Sequence, residues 1–319
     1  MKPERIRIGR RGSPPLRERR AQWPFRFTLI LLGGTGIAVS LLVAYRGNAP
    51  GQLPWNVAGG SGAPSDPYRV ATCAELQNLS AAPAASYALA EDIDCAGFAA
   101  RSSGQGFVPI GTSKTGFTGT LDGRGFAIRN LVIRRAGEDA VGLFSLLGSG
   151  ASVSRLSLTV DIAGHDGVGG LAGRMEHGST ATEVIVSGTV EGHVSVGGIA
   201  GVSRGSIRTA SGGMAVTGEK GVGGIAGTLD EGGDARTVAV SGTVIGGEDV
   251  GGVAGVGRGA LIDGCVVTGT VRGTQNTGGA VGWLIGGTER ASSIVNCYFS
   301  GQLRGATQKD ILVGKRGVQ

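Results

Sequence analysis

The chain has 319 residues, of which 63 are glycine, with only 17% charged and 5% aromatic residues and a net charge of +6. Glycine at about three times its usual share of roughly 7%, with no Gly-X-Y period, excludes collagen. Apolar residues at 40% exclude a disordered glycine linker. The excess positive charge does not mark a nucleic-acid surface, because it lies in one tail: residues 1–26 hold nine basic and two acidic side chains, so the remainder is close to neutral.

After this basic tail (1–26), the stretch from Phe27 to Tyr45 carries no charge. Its 19 residues match the length of a membrane-crossing helix. Trp23 and Tyr45 flank it as interfacial aromatics do, and the arginine-rich side is expected to stay in the cytoplasm. Segment 27–45 is therefore read as a signal-anchor of a single-pass cytoplasmic-membrane protein, whose C-terminal domain is periplasmic or extracellular. Residues 46–67, with four prolines among Gly, Ser and Asn, read as a linker.

Residues 68–135 contain short β-like runs and are expected to form an N-terminal cap and first coils. From 136 to 303 the chain is periodic. Val-Gly-Gly-aliphatic-Ala-Gly begins at Val168, Val196, Val222 and Val250, with a weaker copy at Thr277 and a precursor at Val141, at intervals of 26 to 28 residues. A glycine stands four residues before each start: Gly137, Gly164, Gly192, Gly218, Gly246 and Gly273. A second phrase, Val-Ser-Gly-Thr-Val, recurs at Val186 and Val240, with variants at Val267 and Phe299. Short Val/Ile/Thr runs cut by glycine are strands and turns, not the amphipathic helices of a helical solenoid. The expected fold is all-β: a right-handed parallel β-helix with one repeat of about 27 residues per coil, coils stacking at the ~4.8 Å interstrand distance. Residues 304–319 are expected to be a C-terminal cap or tail.

Like residues then form columns. Leu171, Ile199, Ile225, Val253 and Ala280 are expected to face the core. By strand alternation, Val168, Val196, Val222 and Val250 with Ala172, Ala200, Ala226 and Ala254 are expected to face outward as a smooth apolar partner surface.

These phrases resemble the GLUG repeat of bacterial surface proteins, found in filamentous-haemagglutinin-like adhesins and in N-terminal regions of IgA-protease-type zinc peptidases. The preceding run is similar as well, from Cys73-Ala74-Glu75-Leu76-Gln77-Asn78-Leu79 through Tyr87–Asp94, Pro109-Ile110-Gly111, Phe117–Gly123 and Ile128–Leu131. The resemblance covers about residues 68–303 and implies a β-helical surface domain. It does not carry peptidase activity here, because no HExxH motif exists; His177 sits in Met175-Glu176-His177-Gly178.

All four cysteines follow the apolar segment, where an oxidising compartment permits disulfides. Cys73 and Cys95 are expected to pair. Cys265 and Cys297 share a core column with Val184 and Val238, so they either pack as small apolar residues or bond between neighbouring coils.

Three residues before the repeat phrases stand Glu138, His165, His193 and Glu219, with Asp139 and Asp166 one residue on. One coil per repeat places them along a single turn edge. Such a row offers a binding site for a polar glycan or a divalent ion, or is simply a solvated edge; Glu138, His165, Asp166, His193 and Glu219 are the binding candidates, with no metal assigned. Asp92, Asp94 and Asp122 are a second oxygen-rich group, to be weighed against local turn hydrogen bonds. Outside the turn-edge row no repeat column is acidic, so none offers the paired acid and base that hydrolysis requires. The expected role is non-catalytic, in adhesion, ligand binding or scaffolding in a bacterial envelope, with a glycan, an envelope protein or a second copy of the chain as partner and no cofactor. A polysaccharide lyase or hydrolase is the alternative.

Overall fold

The computed structural model describes residues 59–305 and 311–317, all within the unit Asn48–Gln319. The basic tail, the proposed membrane segment 27–45 and most of the linker lie outside the described residues. Among the described residues no helix is long and apolar enough to cross a membrane.

The architecture is a parallel β-solenoid, and the 26–28-residue period is one coil. Val196 pairs with Val168 on one side and Val222 on the other, and that ladder continues through Val250 to Thr277. Each full coil has three parts. A long strand comes first, as in Ser152–Ala163, Thr180–Glu191 and Ser206–Thr217. A short middle strand follows (Asp166–Gly169, Val194–Gly197, Lys220–Gly223, Glu248–Gly251, Gln275–Gly278). A short return strand closes the coil (Ala172–Met175, Ala200–Ser203, Ala226–Leu229, Ala254–Arg258, Val281–Ile285). Stacking converts these into a fifteen-stranded long sheet, a five-stranded middle sheet and a seven-stranded return sheet. Val313–Gly317, near the chain's C-terminus, adds the last strand of the return sheet against Val281–Ile285.

The N-terminal cap starts with the short helix Cys73–Gln77, whose Thr72 and Glu75 form a reciprocal capping box. Large aromatics fill this end: Tyr68, Tyr87, Phe117 and Phe144 form a chain of tilted ring contacts 4.9–6.1 Å apart. Two disulfides are present, Cys73–Cys95 in the cap and Cys265–Cys297 between neighbouring coils, with Cα separations of 5.3 and 4.4 Å. The second resolves the choice left open by sequence. Cys265 does stand in the Val184–Ala210–Val238 column, opposite Val238, but it is bonded rather than free.

The column Leu171–Ile199–Ile225–Val253–Ala280 is buried, as expected. The outward column is not. Val168, Val196, Val222, Val250, Ala172, Ala200, Ala226 and Ala254 are all 0% exposed, so the expected Val/Ala partner surface does not exist. Alternation assumes an uninterrupted strand, and this segment is interrupted twice. The residue before each valine is left-handed, whether glycine (Gly167, Gly221) or not (Ser195, Asp249), and likewise Asn276 before Thr277. The Gly-Gly pair then turns the corner before the alanine. Valine consequently points into a niche left by the glycine four residues ahead: a Cβ at Gly192 would stand 2.8 Å from Val168 Cγ2 and 2.9 Å from Val196 Cγ2. The return strand folds flat against the middle sheet, so closely that a Cβ at Gly201 would lie 2.2 Å from the Gly167 carbonyl carbon. The two sheets cover each other, and neither small-residue face reaches solvent.

Ala226→Glu therefore places a carboxylate in a dry, closely packed seam and should cost on the order of several kcal/mol. A thermal melt followed by circular dichroism should show a large drop in midpoint or no cooperative transition. Replacing Cys73 and Cys95 together by serine opens a loop with a sequence separation of 22. Denaturant unfolding should register a loss of about 3 kcal/mol.

Candidate functional site

The turn from long to middle strand repeats in every coil, and its exposed residues line one edge of the solenoid. Register is set by backbone bonds: His193 N–H donates to the His165 carbonyl (2.7 Å), and the Glu219 N–H donates to His193 (2.8 Å). Side chains at equivalent positions are therefore stacked one above another. The His165 and His193 rings lie 5.2 Å apart and within 10° of parallel.

Carboxylates alternate with these rings. His165 Nδ1 is 3.0 Å from Asp139 Oδ1 and 3.5 Å from Asp166 Oδ1. His193 Nδ1 is 3.2 Å from the same Asp166 oxygen, and its Nε2 is 2.9 Å from Glu219 Oε2. The acids are themselves pinned by main chain: Asp166 N–H donates to Asp139 Oδ1, and Val194 N–H donates to Asp166 Oδ1. The ladder continues with Lys220 Nζ, 3.0 Å from Glu248 Oε2 and 4.0 Å from Asp249 Oδ2. His193, Glu219, Lys220, Glu248, Thr274 and Gln275 line a shallow open groove along this edge.

Charge and burial tune individual members. The hydrogen bond that His165 donates to Asp139 raises the pKa of His165, and the nearby Asp166 adds to it. The same bond lowers that of Asp139. Asp249 is 0% exposed, and burial raises its pKa, against an opposing hydrogen bond from Asn276.

The structure thus brings together His165, Asp166, His193 and Glu219. It takes Glu138 away: its carboxylate turns to Arg135, at 2.7 Å. Asp139 occupies the place against His165 that the sequence reading offered to Glu138. Lys220 and Glu248 are new members, and their signal was available in the sequence as opposite charges 28 residues apart, one coil, at the same turn position. The second group does not assemble. Asp92 accepts from Ala127 N–H and pairs with Arg129, Asp94 accepts from Ala96 N–H and Asn130, and Asp122 pairs with Arg155. These are local turn and cross-coil bonds. Other carboxylates of the long sheet are similarly occupied, Asp234 by Arg236 and Asp263 by Asn296.

No family model matches the chain. Over 127 residues it is 39% identical to halomucin of Haloquadratum walsbyi, spanning 38% of this chain and 1% of that protein. Over 120 residues it is 33% identical to a protein of Evansella cellulosilytica provisionally named a Gly-rich membrane protein, spanning 37% of this chain and 14% of the other. The match therefore covers a small fraction of these relatives' length. Among solved structures, a Bacteroides ovatus protein provisionally named an immunoglobulin A1 protease superposes with a TM-score of 0.60 at 20% identity, over 82% of this chain and 86% of that one. A structure named IgA1 protease gives 0.55 at 20% identity, over 78% of this chain and 21% of the other. At such identity the likeness is one of fold: the chain is a β-solenoid of the kind these proteins contain.

The His165–Asp139 bond has a defined pH signature. A histidine pKa raised by folding stabilises the fold below the unfolded value, and that contribution is lost as pH rises through the folded value. Asp139→Asn should lower the His165 titration midpoint, read from its imidazole NMR resonances. The variant's thermal deficit should be greatest where Asp139 is ionised and His165 charged, between about pH 4 and 6.5, and should close at alkaline pH.

Proposed function

We propose that this chain is a membrane-anchored, extracytoplasmic β-solenoid of a bacterial envelope that works without catalysis, by binding or scaffolding along its stacked coils. The observation that carries this reading is the edge ladder. Its polar side chains recur once per coil, most of them on an exposed rim, and pair with one another across coils, as befits a repetitive recognition surface. Two disulfides support an oxidising compartment, and the apolar segment 27–45 beside a basic tail supports the anchor. The GLUG resemblance and the names of the relatives, one a membrane protein, point the same way. Adhesion to a glycan is the specific form we favour, because rows of carboxylate, imidazole and ammonium groups at ~4.8 Å intervals match a polymer with repeating hydroxyl or charged groups.

A second reading has one observation in its favour. His193 is flanked by Asp166 and Glu219, an arrangement in which a carboxylate orients an imidazole base. It supports polysaccharide cleavage as the alternative.

The unit 48–319 incubated with envelope polysaccharides and analysed by size exclusion separates these. Co-elution with intact chains is expected, weakened by the double variant Glu219→Gln, Lys220→Gln. Shortened chains that require His193 would establish the enzyme instead. Neither change would leave scaffolding through a protein partner or self-association as the role.

A further inference from the structure

We infer that His165, Asp166 and His193 form a binding site for a divalent ion of the zinc class on the solenoid edge. Among the described residues this is the one group of His, Cys or acidic side chains whose ligand atoms converge, all three lying within 4.8 Å of one another. Two of the three spacings are those a tetrahedral ion requires. Ligands about 2.0–2.1 Å from zinc stand about 3.3–3.4 Å apart, and Asp166 Oδ1 lies 3.2 and 3.5 Å from the two imidazole Nδ1 atoms.

Three further features fit. The carboxylate and the backbone are held before any ion arrives: Asp166 Oδ1 is anchored by the Val194 N–H at 3.1 Å, the coil register sets the two histidines one above the other, and the stacked, half-exposed rings tilt toward the ion to close the site. The outer nitrogen of His193 already has its partner, since Glu219 accepts at Nε2 and leaves Nδ1 for the ion. A carboxylate behind a ligating imidazole is the common outer arrangement of such sites. The site is also reachable, with the three side chains 42–49% exposed. Asp139, 3.0 Å from His165 Nδ1, is the neighbour placed to supply a fourth ligand, and water completes the set otherwise. Two imidazoles select zinc, copper or nickel over calcium or magnesium, which prefer oxygen alone.

The chain suits a clean test, because it has three histidines and its four cysteines are tied in disulfides. Calorimetric titration of the full-length chain with zinc chloride should show one saturable site in the micromolar range. His165→Ala and His193→Ala should each weaken it at least about tenfold, and Glu219→Gln should weaken it less, while circular dichroism stays unchanged. His177→Ala should leave it intact, since His177 is not part of the group. Absence of saturable uptake through the millimolar range would overturn the site. So would uptake that survives the His165→Ala, His193→Ala double variant.

Discussion

The architecture depends on one contact: backbone against backbone between the middle and return sheets. Each coil's return strand lies on the previous coil's middle strand at a distance that leaves no room for a side chain. Most solenoid walls are separated by interdigitating residues. Here the return strand brings a glycine to every contact, against the backbone of Gly167 or Gly221 in two coils and of Ala140, Ser195, Asp249 or Asn276 in the others, and this accounts for the final glycine of every repeat phrase. The gain is dense van der Waals contact and full burial of valine and isoleucine, each worth about 1.5–3 kcal/mol. The cost is that glycine must be ordered at considerable entropic expense, offset by stacking the same unit many times.

Much of this was legible in the sequence. The period gave the coil, the Val/Ile/Thr runs gave strands, and the aliphatic residue after Gly-Gly gave the core column. What failed was direction. Whether Val168 and Ala172 face in or out depends on backbone dihedrals at Gly167 and at the corner, and a left-handed residue resets the parity on which alternation relies. Ser195, Asp249 and Asn276 occupy that left-handed position with side chains, so composition did not flag it. Asn and Asp tolerate the conformation best among non-glycine residues, and two of these three are of that kind.

The edge ladder was half legible for a related reason. Register placed the histidines and acids in a row, but row membership does not fix pairing. Glu138 has Arg135 within reach and takes it; Asp139, one residue on, has only the ladder. Pairing also crosses coils, so each imidazole is held by acids from the coil before, its own, or the coil after. The partners of one residue are thus set by residues about 27 positions away, and a local scan for motifs passes over them. The charge pattern makes the row electrically mixed, with histidine, carboxylate and ammonium groups alternating along it, which keeps neighbouring like charges from repelling one another.

The glycine seam also fixes how such a chain can change length. Adding or deleting one residue within a phrase would set a side chain against a carbonyl and part the sheets. Adding a whole repeat meets an identical seam on each side and shifts everything beyond it by one strand spacing. Growth is thereby quantised: the domain can lengthen only in whole coils, and the spacing of groups along its edge stays constant as it does. A protein built this way is a ruler whose graduations are conserved by packing while its overall length is left free to vary.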